Sequence, residues 1–339
     1  MTEPLLRIRD LKTWYPVHRG VLARLAGHVR AVDGVSLEVY PGETLGLVGE
    51  SGCGKSTLAR TIMGLEHPTS GEMRLGGAAL WPRRHRDTLR LRRRMQMVFQ
   101  DPYSSLNPRM TILDILAEGL IEHGLIRVRD REAAAAALLA EVGMEPSVLH
   151  RYPHEFSGGQ RQRISIARAM ALRPELVLCD EAVSALDVSV RAQVLNLLLN
   201  LRTSHNLAYL FIAHDLGVIR HIAHRVAVMY LGVLVETGPV AEVLDDPVHP
   251  YTRALLSAIP VPYSRGRERI VLSGDVPSAA RPPSGCRFHT RCPYAVTKCA
   301  IETPAMEPFG APSARRSVAC FRATELPGAS ARIVKPSRN

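Results

Sequence analysis

The eight residues Gly49-Glu-Ser-Gly-Cys-Gly-Lys-Ser56 constrain this chain more than any other feature. They follow the apolar run Thr44 to Val48, which predicts a short buried strand, and they lead into Lys55 to Leu65, which predicts a helix. A strand, a glycine-rich turn and a helix start in that order form a phosphate-binding loop. Its glycines let backbone N–H groups converge on phosphate oxygens, and the helix N-terminus adds favourable partial charge. We therefore assign Gly49, Ser51, Gly52, Cys53, Gly54, Lys55, Ser56 and Thr57 to nucleotide binding. Lys55 places a compact cation against the β- and γ-phosphates, and the Ser56 hydroxyl suits Mg²⁺. Only four of the 43 basic residues are lysines, so a lysine at this position stands out from the background.

Length and composition set the frame around that loop. A chain of 339 residues predicts a main domain with a smaller appendage, and 46% apolar with 22% charged residues is a soluble globular composition. The charge-free apolar stretch Val226 to Val235 is far too short for a bilayer span. Met1 to Lys12 lacks a basic segment followed by an apolar one, so the cytosol is expected. A net charge of +11 admits nucleic acid, an anionic surface or compositional bias toward arginine. The densest basic run, Arg83 to Arg94, has no interleaved aromatic residues for stacking on bases, so it reads as a solvated helix face.

Strands are expected at Leu5 to Leu11, Val35 to Val39, Met95 to Phe99, Leu176 to Cys179, Ala208 to Ala213 and Arg225 to Met229. Helices at Val188 to Leu201 and Leu216 to Ala223 between the later strands predict parallel βαβ units, interrupted by a strongly helical block from Thr111 to Gly143. Beyond Gly238 prolines become frequent, with one short helix at His249 to Ala258 and then a loop-rich tail. Such a tail is expected to bury little surface without a staple.

Two further constellations carry chemistry. Leu176-Val-Leu-Cys-Asp180-Glu181 puts two carboxylates at the end of an apolar strand, where open α/β sheets meet their ligands. Asp180 suits Mg²⁺, and Glu181 suits a base or water-orienting group. Ser157-Gly158-Gly159-Gln160 opens a helix and is a capping box in its own right, while its two glycines also permit a phosphate to approach. A second set of anion donors so far from the first points to ATP held from two sides.

In order and spacing, these strings together with Ser184-Ala-Leu-Asp187 and His214 resemble the ATP-binding cassette (ABC) ATPases over about residues 5 to 260. The resemblance implies an α/β phosphate-loop nucleotide-binding domain over 1–260, with a helical signature subdomain inserted at about 101–172. It also implies a head-to-tail dimer in which the signature loop of one subunit completes the ATP site of its sister. By position, Gln100 then corresponds to the lid glutamine at Mg²⁺, Asp187 to the loop that communicates across the dimer, His214 to the switch histidine at the γ-phosphate and Tyr15, beside Trp14, to the aromatic that stacks on adenine. Catalysis falls to Glu181, His214 and Gln100, and Mg²⁺ to Ser56, Gln100 and Asp180.

Four longer strings narrow the resemblance: Arg30-Ala-Val-Asp-Gly-Val-Ser36, the stretch Gln100 to Pro108, Ser184 to Arg191, and His249-Pro-Tyr-Thr-Arg-Ala-Leu-Leu-Ser-Ala-Ile-Pro260. They are similar to the second ATPase of oligopeptide/dipeptide importers; nickel importers share parts of them. Implied partners are a sister ATPase, two transmembrane permeases and, through these, an extracytoplasmic peptide-binding protein, with the chain peripheral on the cytoplasmic membrane face and no nucleic acid. A repair or chromosome-maintenance ATPase is the alternative from another class. One departure is Ala182, where the family usually has proline, which removes a φ restraint next to Glu181.

Cys286, Cys292, Cys299 and Cys320 crowd into the tail and lack the tight C-x2-C knuckles of many zinc sites. Four thiolates on long loops suit a [4Fe-4S] cluster, Zn²⁺ or free thiols. The stretch Gly285 to Pro293 is similar to the C-terminal extension of peptide-importer ATPases, some of which bind such a cluster, so a Cys-rich extension is expected over 261–339.

Overall fold

The computed structural model describes residues 3–20, 24–81, 85–101, 105–258, 270, 272, 274–310 and 315–326. Arg83, Arg84, the Pro102 to Ser104 part of the string after Gln100, and Pro260, the last residue of the string that begins at His249, lie outside them. The first part of the chain forms β1 (Leu6–Arg19), β2 (Arg24–Val39), β3 (Thr44–Val48), α1 (Lys55–Met63), β4 (Ser70–Leu75) and β5 (Ala78–Ala79). The middle forms α2 (His85–Arg94), β6 (Met95–Val98), α3 (Ile112–Glu122), α4 (Arg131–Glu141), α5 (Gly158–Met170), β7 (Leu176–Asp180), α6 (Val188–His205) and β8 (Ala208–Ile212). The remainder forms α7 (Leu216–Ile222), β9 (Arg225–Tyr230), β10 (Val233–Pro239), α8 (Val240–Asp245), α9 (Pro250–Ser257), α10 (Thr297–Ile301), β11 (Glu307–Pro308) and β12 (Ser317–Val318).

Two compact units share these elements. One comprises Met1–Leu6, Glu38–Thr44 and Arg74–Ile212; the other comprises Arg7–Leu37, Leu45–Met73 and Ala213–Asn339.

In the first unit β6, β7 and β8 run parallel, with Met95 opposite Leu176 and Leu176 opposite Ala208. Every residue of β7 and β8 is buried, as continuous apolar strands with both faces covered require. The helical block is two helices rather than one. His123 caps α3 and Gly124 follows at φ 65°, a left-handed residue that ends a helix without steric cost. Helices α3, α4 and α5 pack on one another. The described part of the basic run, His85–Arg94, is α2, whose last residue, Arg94, grips both Glu175 oxygens at 2.5 and 2.8 Å.

In the second unit β3 runs parallel to β9, with Leu45 opposite Arg225. The apolar stretch Val226 to Val235 is a hairpin. Leu231 at φ 43° and Gly232 at φ 84° make the two-residue turn that brings β10 antiparallel to β9. β1 and β2 are 14 and 16 residues long, far beyond the short alternating runs expected, and lie side by side with β1 next to β4.

The tail departs most from expectation. It adds β12 to the edge of β10, with Glu236 opposite Val318, and β11 beyond it. Beneath this pairing Arg316 meets Glu236 at 2.7 Å, the two side chains 4% and 0% exposed, and Glu236 also accepts the amides of Val248 and His249. Removing one member of such a pair costs about 3–5 kcal/mol, because the other is left charged and buried. Phe288 packs among Tyr230, Tyr251 and His249 at ring separations of 5.2 to 5.7 Å. Strand pairing, an ion pair and an aromatic cluster therefore hold part of the tail.

Candidate functional site

The phosphate loop lies in the second unit, between β3 and α1. Gly49 has φ 154°, and a Cβ there would sit 2.1 Å from the Met229 carbonyl oxygen; Gly54 has φ 110°, and its Cβ would sit 2.0 Å from that of Ala31. Both glycines are thus demanded by backbone passing on either side. Lys55, only 5% exposed, donates from Nζ to the carbonyls of Gly49 at 2.8 Å and Glu50 at 3.0 Å. Its ammonium is held inside the loop it serves. Cys53 Sγ lies 3.7 Å from the same Nζ, and burial raises its thiol pKa despite that cation. Ser56 and Thr57 follow in the first turn of α1, while Ser51 and Gly52 form the exposed tip.

Strand alternation separates the two candidate adenine aromatics. Thr13 and Tyr15 share one face of β1. Thr13 Oγ1 meets Thr61 Oγ1 at 3.0 Å, and Tyr15 lies within hydrogen-bonding reach of Thr57, one helical turn earlier on α1. Trp14 turns to the other face, donating to Asp33 Oδ1 at 3.1 Å under the Arg30 guanidinium. Of the two, Tyr15 is the one beside the phosphate-loop helix. His214 belongs to the same unit: the Ala213 amide donates to the carbonyl of Leu47, and Asp215 caps α7 immediately after it.

In the first unit β7 ends at Asp180, 6% exposed. Cys179 before it is fully enclosed, and burial with the neighbouring Asp180 charge pushes its thiol up to about 12, so it stays protonated. Glu181 takes a left-handed backbone, φ 49°, a strained conformation for a residue with a Cβ. It is fastened without the usual proline: its amide donates to Ile212 O at 3.0 Å, and the Ser184 amide and hydroxyl both donate to its carbonyl. Gln100 Nε2 donates to Glu181 Oε2 at 2.8 Å, so two residues 81 apart in sequence meet through the β6–β7 pairing.

The signature string forms the capping box read from the sequence. Ser157 Oγ accepts from the Gln160 amide at 3.4 Å, and Gln160 Oε1 accepts from the Ser157 amide at 3.0 Å. Gly159 has a structural reason the sequence did not show, since a Cβ there would lie 2.3 Å from Val190 Cγ1 on α6; Gly158 has no such close neighbour. Asp187 caps α6, accepting from the Val190 amide at 3.0 Å. The two helix starts that carry Ser157 and Asp187 are packed together at Gly159.

All four tail cysteines border one small cavity, together with His249 and Phe288. Burial raises the thiols of Cys286, Cys292 and Cys320, Cys292 to about 11, with the other cysteines adding to each rise. Gly285 permits the close approach of this loop to α10: a Cβ there would lie 2.4 Å from Cys299 O, and Cys286 donates its amide to the same carbonyl at 2.8 Å. Among the described residues no three His, Cys, Asp or Glu side chains are disposed to hold a single metal ion, and no helix is long and apolar enough to cross a membrane.

One contact fell outside the sequence reading. The Glu50 amide donates to the Tyr251 hydroxyl at 2.8 Å, tying the phosphate loop to the string that begins at His249. That string was legible, but its target was not.

Two family models match this chain: ABC transporter over residues 32–184, and oligopeptide/dipeptide transporter, C-terminal region, over residues 235–299. The oligopeptide transport ATP-binding protein AppF of Bacillus subtilis is 53% identical over 307 residues, covering 89% of this chain and 93% of its own. The oligopeptide transport ATP-binding protein OppF of Salmonella typhimurium is 48% identical over 328 residues, covering 95% and 97%. Among solved structures, a dimeric ATP-binding cassette in a post-hydrolysis state with ADP and Pi matches with a TM-score of 0.61 and 26% identity, over 69% of this chain and 98% of that one.

Proposed function

Because this chain belongs to the ABC transporter family of ATP-binding proteins, with the fold and near full-length identity of its peptide-transport members, we propose that it is the ATP-hydrolysing subunit of an oligopeptide/dipeptide importer. The observation that carries this reading is the presence, in one chain, of both the cassette and the peptide-transporter C-terminal region. Peptide transport is favoured over the nickel-importer and repair-ATPase alternatives because the relatives named above are oligopeptide transport ATP-binding proteins. Proteoliposomes holding the assembled transporter should accumulate radiolabelled peptide only with internal-face ATP. Uptake of nickel and not peptide, or salt-sensitive duplex binding by the chain alone, would overturn the assignment.

In this reading Lys55 and the amides of the loop from Gly49 to Ser56 hold the β- and γ-phosphates, and Tyr15 carries the adenine. Ser56, Asp180 and Gln100 would hold Mg²⁺, which would withdraw charge from the phosphate oxygens. Glu181 accepts a proton from the attacking water, with Gln100 orienting its carboxylate and His214 sensing the γ-phosphate. Residues 1–260 act as the cassette, about 101–172 as its helical signature part, and 261–339 as the extension. The partners are a sister ATPase, two permeases and a peptide-binding protein reached through them, with the chain peripheral on the cytoplasmic membrane face.

Ser157 to Gln160 then serve the sister's ATP, and Asp187 the communication between the two sites. The capping box competes with that role, and the two separate by experiment. As a cap alone, Ser157→Ala costs this subunit about 1 kcal/mol and leaves partner turnover intact. With a sister whose own catalytic glutamate is intact and Glu181 here disabled, Ser157→Ala is expected to lower the remaining hydrolysis at the sister's phosphate loop. Unchanged hydrolysis there would reduce Ser157 to its cap.

For the tail we take the cluster reading over zinc. Its support is that the four thiols border one small cavity. Cys286, Cys292, Cys299 and Cys320 would hold the cluster, which would cross-link loops as a structural staple. Anaerobically purified chain is expected to carry about four iron and four sulfide per chain, and Cys292→Ser to lose both while retaining MgATP binding. Stoichiometric zinc without sulfide would replace the cluster, and metal-free protein with an equally protease-resistant tail would remove both.

A further inference from the structure

We infer that Arg291, in the C-terminal extension, is a positioning residue for the phosphate loop: it pins and neutralises Glu50, so that nucleotide meets a loop already held in shape and free of a competing negative charge. The inference deepens the ATP-site reading and rests on it.

Glu50 is the second residue of the loop, and each of its polar groups is engaged. Its carbonyl accepts from Lys55 Nζ at 3.0 Å and from the Cys53 amide at 3.3 Å, and its amide donates to Tyr251 Oη at 2.8 Å. Its carboxylate is gripped by both arms of Arg291, with Nη1 donating to Oε2 at 2.9 Å and Nη2 to Oε1 at 3.4 Å. The Arg291 side chain is 8% exposed, and Nη1 also reaches the Tyr230 hydroxyl at 3.4 Å. Tyr230 in turn follows Met229, whose carbonyl closes over Gly49. Three residues before Arg291, Phe288 is wedged against Tyr230 and Tyr251 at 5.2 and 5.5 Å. The segment 288–291 therefore braces the loop at two points, through the ring that supports Tyr251 and through the guanidinium on Glu50.

Charge makes the brace more than a structural contact. A loop built to receive a triphosphate gains from positive potential, and a carboxylate at its second position works against that. A carboxylate paired with a buried guanidinium presents little net field, whereas an unpaired one repels the incoming phosphates. A bidentate fork also fixes orientation, which a lysine would not do.

Equilibrium binding of a fluorescent ATP analogue with Mg²⁺ to the full chain tests this. Arg291→Met is expected to weaken binding about tenfold, the scale of one uncompensated charge near the phosphates, and Arg291→Lys by about two- to threefold, since the charge stays and the fork is lost. Adding Glu50→Gln to Arg291→Met removes the unpaired carboxylate and is expected to restore affinity to within about twofold of wild type. A merely structural Arg291 would not be rescued in this way. Unchanged affinity in Arg291→Met, or a loss that Glu50→Gln does not relieve, overturns the inference. Wild-type chain that fails to bind MgATP would instead remove the reading beneath it. If Arg291→Met does not fold, Arg291→Gln, which also removes the charge, is measured with and without Glu50→Gln, and the same loss and the same rescue decide the matter.

Discussion

Glu181→Gln is expected to bind MgATP normally and to lose hydrolysis by about two orders of magnitude or more, the range for removal of a general base. Glutamine keeps the length and shape of the side chain and an oxygen to accept from Gln100 Nε2, now 2.8 Å from Glu181 Oε2. The backbone restraints on residue 181, from Ile212 O and Ser184, do not involve the carboxylate, so its left-handed conformation should persist. Only basicity is removed. Phosphate release by the assembled transporter, read beside nucleotide binding, checks both halves. Near-normal turnover would take Glu181 out of the mechanism, and lost binding would mean that the carboxylate shapes the site.

Lys55→Ala is expected to act one step earlier and weaken MgATP binding by about 30- to 150-fold, as loss of a charge-assisted contact of about 2–3 kcal/mol implies. Besides the phosphate contact, the substitution deletes the donor now shared by Gly49 O and Glu50 O, leaving two loop carbonyls without their ammonium. The scaffold should tolerate it, because Gly49 and Gly54 are also enclosed by the backbone of Met229 and Ala31. Calorimetric titration on the isolated chain gives the affinity, and thermal unfolding without nucleotide gives the stability. Affinity within twofold of wild type would remove Lys55 from phosphate binding, whatever happened to turnover.

Features encoded over a few neighbouring residues were legible in the sequence by itself. The phosphate loop, the carboxylates after an apolar strand and the Ser157–Gln160 capping box each depend on local backbone geometry, so spacing alone reveals them. β3 was expected at Thr44 to Val48 and is found there, because a fully buried strand between glycine-bearing turns leaves few alternatives. Element ends were less legible. β1 and β2 run on through charged and polar residues because neighbouring strands, not their own side chains, satisfy their backbone.

What joins residues distant in sequence was decided by the tertiary structure alone. Strand alternation with the α1 repeat put Tyr15, not Trp14, beside Thr57. The Gly159 gap is shaped by Val190, and the tail is held by a Glu236–Arg316 pair spanning 80 residues. Glu50 and Arg291, 241 residues apart, illustrate the limit: each looks like an ordinary charged residue in its own neighbourhood. The sequence determined which local chemistry the chain can do, since capping, turns and phosphate cradles are short-range. Only the fold decided which charges and glycines that chemistry depends on, because ion pairing and close packing act between surfaces that the sequence does not place side by side.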